Sequence, residues 1–117
     1  MARTAFSITS ELVPAKGVVR LGVNGYLDSH TCDELDTAIT GQFKEARHKI
    51  IVDLSNVVYI SSAGAGVFIS ALLEAQEHNG NIVLLSPTPH VREVFELLGI
   101  TQIFKVVDDL PAALDAF

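Results

Sequence analysis

Cysteine is almost absent from this chain: Cys32 is the single thiol in 117 residues. One thiol closes no internal disulfide and builds no Cys-rich zinc site, so a reducing cytoplasm is the expected compartment. Basic residues are scarce too. Eight Lys and Arg stand against fourteen Asp and Glu, a formal net charge of −6. That balance argues against direct nucleic-acid binding, which would need a basic face to neutralise a run of phosphates. The same deficit disfavours adsorption to an anionic membrane. Long hydrophobic runs are missing. The longest, Ala63 to Leu73, is too short to span a bilayer as a helix. The start, Met-Ala-Arg-Thr-Ala-Phe-Ser, has no apolar stretch of signal-peptide type. Neither a membrane span nor secretion is expected. The histidines, His30, His48, His78 and His90, show no metal-ligand spacing, and no cofactor is expected.

What is present is a globular composition, 49% apolar and 19% charged, of a size that buries one core. No repeat, low-complexity stretch or linker interrupts it, so residues 1–117 are read as a single domain. Phe6, Ile8 and Leu12 alternate with polar neighbours, as on an edge strand with one wet face. Lys16-Gly17 turns the chain into a second strand, Val18–Val23, predicting a hairpin. A helix is predicted from Ser29–Thr31 onward. Thr31 and Glu34 have capping-box spacing, and Cys32, Leu35, Ile39, Phe43 and Ala46 form an apolar stripe. Ile50-Ile51-Val52 reads as a strand covered on both faces, within Lys49–Leu54.

A second helix is predicted from about Ala63 to His78, stopped by Asn79-Gly80. Asn81–Ser86 is another buried strand. Thr88-Pro89 opens a third helix with Val91, Val94, Phe95 and Leu98 inward and Gly99 at its end. Ile103–Val107 is a last strand, and Asp108 or Asp109 caps a terminal helix. The order β-β-α-β-α-β-α-β-α predicts an α/β fold: a mostly parallel central sheet with an antiparallel edge hairpin and about four helices.

The most unusual local chemistry is Ile60-Ser61-Ser62-Ala63-Gly64-Ala65-Gly66, two hydroxyls and then small residues at a strand-to-helix junction. On the residues alone, Ser61 and Ser62 read first as a helix cap. Gly64-x-Gly66 lacks the third glycine of a dinucleotide fingerprint, since position 69 is Ile69. A serine-hydrolase elbow would need glycine two residues before Ser62, where Ile60 stands. No catalytic residue is assigned. Asp53 and Asn56 read as turn acceptors. Asp28, Asp33, Glu34 and Asp36 read as a solvated helix start that could also steer a basic partner.

Three pieces in order resemble the STAS domain of bacterial anti-sigma factor antagonists. They are Gly25-Tyr26-Leu27-Asp28, then Asp53-Leu54-Ser55 through Ser61-Ser62-Ala63-Gly64-Ala65-Gly66-Val67, and then Pro89–Lys105. The likeness runs from about Phe6 to Leu114. It implies a non-enzymatic switch protein. The unphosphorylated form would bind an anti-sigma factor that is also a serine kinase and so release a sigma factor. Phosphorylation would break that complex, and a serine phosphatase would restore it. Aligned on Gly64-Ala65-Gly66, the acceptor is Ser62. The family's pattern often has aspartate just before it, where this chain has Ser61, which makes Ser61 the alternative acceptor. Asp28, Ser61, Ser62, Ala63 and Gly64 are the partner-binding residues the resemblance implies. The competing reading is a non-catalytic STAS scaffold subunit of a stress-signalling or lipid-transporter complex. The oligomeric state is left open.

Overall fold

The structure, a computed structural model, describes residues 5–14 and 16–117. The first four residues, where no leader was read, lie outside the described residues. Ten elements follow in order. A hairpin of β1 (Ser7–Val13) and β2 (Val18–Leu27) leads into α1 (Cys32–Lys44) and β3 (Lys49–Ile60). Then come α2 (Ser62–Glu77), β4 (Asn81–Leu85), α3 (Pro89–Leu97), a 3-10 turn (Ile100–Gln102), β5 (Lys105–Val107) and α4 (Leu110–Asp115).

The five strands lie in the order β1-β2-β3-β4-β5, antiparallel at β1–β2 and parallel thereafter. Strand order never reverses. Right-handed crossovers that all advance the same way must place their helices on one face. So α1, α2 and α3 bury Leu35, Ile39, Phe43, Phe68, Leu72, Val91 and Phe95 against Val19, Leu21, Ile50, Val52, Ile82 and Leu84. The opposite face holds a smaller core: Val18, Ile51, Val83, Leu85 and Val107 beneath Ala113 of α4. Ile50-Ile51-Val52 thus alternates between two cores, as its unbroken apolar run requires. A sheet without a reversal also lacks the topological switch point at which doubly wound folds bind nucleotides.

Several local expectations are corrected. β3 does not stop at Leu54 but runs on to Ile60, paired there with β2 alone. Two register shifts in the β2–β3 pairing, at Gly22/Asn24 and Gly25/Tyr26, absorb the mismatch. Gly25 sits at φ +100°, and a Cβ there would lie 3.0 Å from the Ala5 carbonyl oxygen. Only glycine fits. Thr31 precedes α1, yet its hydroxyl forms no capping box. It donates to the Tyr26 carbonyl at 2.7 Å and accepts from the Asp28 N–H at 2.9 Å, tying the loop back to β2.

Cys32 is only half-buried, and Ala46 lies beyond α1, exposed, at φ +60°. Leu98 and Ile103 are exposed, because α3 ends at Leu97 and the 3-10 turn carries Ile100 and then Phe104 inward instead. Among the described residues no helix is long and apolar enough to cross a membrane.

Candidate functional site

The site lies where β2 and β3 end side by side. Ser61 breaks from β3 in extended backbone (φ −99°, ψ 170°) and donates its N–H to the Leu27 carbonyl at 2.9 Å. Its hydroxyl accepts the Gly64 N–H at 3.2 Å, and its carbonyl accepts the Ala65 N–H at 2.9 Å. Ser61 is therefore the N-cap of α2, with its oxygen committed to the helix.

Gly64 is buried against Leu27. A Cβ there would stand 2.8 Å from the Leu27 carbonyl oxygen and 2.9 Å from Leu27 Cγ. Its part is to let α2 close onto the end of β2; read from sequence as a contact residue, it presents no surface. Ser62 and Ala63, one and two residues before it, are exposed. Asp28, next after Leu27, accepts the His30 N–H on Oδ1 at 2.9 Å and is half-buried. The fold thus brings Asp28, Ser61, Ser62 and Ala63 to one edge, with Gly64 beneath.

The two serines are not equivalent. Ser62 is the first residue of the helix, and its hydroxyl has no hydrogen bond among the described residues. No acidic residue occupies the first turn of α2 to offset the positive end of the helix dipole. Replacing Ser61 by alanine is expected to remove the cap and cost about 1 kcal/mol of folding stability. Chemical denaturation of Ser61→Ala beside Ser62→Ala checks this, with the second near neutral.

Sequence reasoning missed an aromatic group on the same rim. Tyr59 is 41% exposed and stacks on His90 of α3, ring centroids 5.4 Å apart, with the Tyr26 ring 6.1 Å away and tilted to it. Tyr26 and Tyr59 are register partners across β2–β3. That pairing depends on the extension of β3, which the pattern Ser55-Asn56 concealed.

A second polar feature lies on the open sheet face, a cleft of about 240 Å³ lined in part by Thr9, Glu11, Arg20 and Asp53. Asp53 accepts from Ser55 N–H at 3.0 Å and Ser55 hydroxyl at 2.8 Å, and pairs with Arg20 at 2.6 Å. Burial by itself would raise the Asp53 carboxyl. The Arg20 guanidinium and the Ser55 donors outweigh it and hold the group below its ordinary 3.8.

A carboxylate more acidic in the folded chain than in the unfolded one stabilises fully above its unfolded pKa, and the gain is lost as pH falls through the folded value. Asp53→Asn is expected to cost about 1 kcal/mol at pH 7 and to flatten the loss of stability below about pH 4. Urea denaturation at both pH values measures it.

The site lies at the β3–α2 junction of a five-stranded sheet whose chain matches the STAS domain family model over residues 10–113. The chain belongs to the STAS domain family. BtrV of Bordetella bronchiseptica, named as an anti-sigma factor antagonist, is 33% identical over 101 residues, covering 86% of this chain and 87% of that one. The anti-sigma-B factor antagonist of Staphylococcus epidermidis is 29% identical over 84 residues, covering 72% of this STAS domain and 78% of its relative.

The solved structure of the anti-sigma factor antagonist SpoIIAA in its unphosphorylated form superposes with a TM-score of 0.81 at 24% identity, covering 94% and 95% of the two chains. Its phosphorylated form from Bacillus gives a TM-score of 0.73 at the same identity, covering 94% and 98%. At that identity the likeness speaks for the fold. The mixed sheet and four helices of this STAS domain are those of its structural neighbours.

Proposed function

We propose that this STAS domain is an anti-sigma factor antagonist switched by phosphorylation of Ser62, acting as a single regulatory domain without catalysis of its own. Unmodified, it binds an anti-sigma factor that is also a serine kinase, and the sigma factor goes free. Phosphorylated, it leaves that partner, and a serine phosphatase resets it. The observation that carries the choice of residue is the division of labour between the serines: Ser61 is spent on the cap, while Ser62 stands exposed with a free hydroxyl. The relatives' names support the role.

The chemistry fits. A phosphate adds about −1.5 to −2 charge and three acceptor oxygens. At the first residue of α2 that charge meets the positive end of the helix, so the domain itself tolerates it. A partner packed over Ser62 and Ala63 must desolvate the same group. Binding suffers while the fold does not.

The test uses Ser62→Ala as bait in extracts of the source cells. A serine kinase should be retained, and added ATP should release it from the wild-type chain but not from Ser62→Ala. Release of both, or a partner indifferent to ATP, contradicts the proposal; the second outcome would favour the scaffold reading.

A further inference from the structure

The cations of this acidic chain are not spread evenly. Of eight Lys and Arg, the lysines Lys16, Lys44 and Lys49 line two adjoining cavities at the end of the sheet where β3 begins. Both cavities share His48 and His78. The first, of about 250 Å³, is lined by Lys16, Lys49, His48, His78 and Asn79 with small residues between, and no carboxylate is in its lining. The second contains Lys44 and one acid, Glu74.

The wall is built rather than incidental. The His48 and His78 rings stack 4.1 Å apart at 7°, and Phe43, 7% exposed, backs His48 at 5.0 Å. The α2–β4 corner is pressed onto His48. A Cβ on Gly80 would lie 1.9 Å from the His48 carbonyl oxygen, which also accepts the Asn81 N–H at 2.9 Å. Asn79 takes φ +62°, and the Gly80 N–H returns to the Ala75 carbonyl at 2.8 Å, closing the corner. His78 Nδ1 lies 3.0 Å from the Glu74 carbonyl oxygen, so it carries the proton and donates. Lys16 Nζ gives one of its three donors to the Leu114 carbonyl at 3.2 Å.

The stacked ring faces are occupied by one another and by Phe43, so the histidines form a wall of the cleft. Two ammonium groups and a side-chain amide around a small polar space suit a compact, multiply charged oxyanion. In a chain of net charge −6, such a pole also attracts anions that the rest of the surface repels.

We infer that the cleft lined by Lys16, His48, Lys49, His78 and Asn79 binds a phosphate-bearing small molecule. It lies at the opposite end of β3 from Ser62, the length of a 12-residue strand or about 35 Å away. It is therefore separate from the switch site and independent of the reading given to that site. Inorganic phosphates and nucleotides share the required chemistry.

The test is a residue-resolved NMR titration of the full chain with orthophosphate, pyrophosphate and ATP, at constant ionic strength held with chloride. Saturating shifts are expected at Gly17, His48, Lys49 and His78–Gly80. The double variant Lys16→Gln/Lys49→Gln should weaken binding about tenfold or more while its remaining spectrum is unchanged, and Lys105→Gln on β5 should bind as wild type. Tighter binding of ATP than pyrophosphate would assign a nucleotide, and equal binding a bare phosphate group. Absence of saturation up to the order of 10 mM, shifts spread evenly over the surface, or equal binding by the double variant would overturn the inference.

Discussion

Phosphorylated at Ser62, the domain is expected to bind its anti-sigma partner a few hundred-fold more weakly than the unmodified chain. Ser62→Asp should bind about thirtyfold more weakly, and Ser62→Ala as well as wild type. A dianion that must be stripped of water in an interface loses about 3–4 kcal/mol, and each 1.4 kcal/mol is tenfold in affinity. A carboxylate brings one charge and less bulk, and about 2 kcal/mol is the corresponding loss.

Stability should move the other way. An acidic side chain in the first turn of a helix gains about 0.3–1 kcal/mol from the dipole, and α2 has no acid there to share it. Ser62→Asp is thus expected to be at least as stable as wild type while binding less. That combination separates a blocked interface from a damaged fold. Calorimetric titration with the purified anti-sigma partner, paired with thermal denaturation, reads both. Weak binding together with a lowered melting point would point to misfolding instead.

Phe68→Ala is expected to be the most costly truncation near the site. Phe68 is fully buried on α2, and its ring meets Phe95 of α3 edge-on at 6.0 Å and Phe104 at 6.5 Å. One side chain therefore joins α2 to α3 and to the segment entering β5. Removing it forfeits the apolar transfer energy and leaves a cavity that three separate segments must collapse to fill, about 3–5 kcal/mol. That is a large share of the 5–15 kcal/mol typical of a domain, and it corresponds to a melting point lower by roughly 10–20 °C. A loss below about 1 kcal/mol would mean that the core repacks freely around α2. Because Phe68 lies six residues after Ser62 on the same helix, the variant should also bind its partner less well at temperatures where it has begun to open.

The architecture was legible wherever burial imposed a period. Ile50-Ile51-Val52 announced a strand between two cores because no polar residue can face either layer, and the structure divides the three between those cores. Thr88-Pro89 announced a helix start because its threonine accepts the N–H three residues on, from Val91; the last helix was announced by Asp108 or Asp109, and the structure gives the cap to Asp109, which accepts from Ala112. The stop at Asn79-Gly80 was legible for the same local reason.

What escaped was decided by contacts between distant segments. Ser55 and Asn56 look like a loop, yet β3 continues through them because the irregular end of β2 follows it. Thr31 has the spacing of a capping box, but the nearby Tyr26 carbonyl claims its hydroxyl. Ile103 fits a strand pattern, but the 3-10 turn leaves it 53% exposed. At the site, the spacing of Ser61, Ser62 and Gly64 placed a cap without saying which serine was the cap. That needed the 3.2 Å contact from the Gly64 N–H to the Ser61 hydroxyl. The Tyr26–Tyr59–His90 group could not be read at all, since it joins three elements far apart in the chain.

The most direct test of the account is the intact mass of the protein isolated from its native cells, followed by fragmentation of the peptide Tyr59–Glu74. The account predicts a population carrying one phosphate, located on Ser62. A phosphate on Ser61 would contradict the assignment of that hydroxyl to the helix cap, and no phosphate under any growth condition would contradict the switch itself.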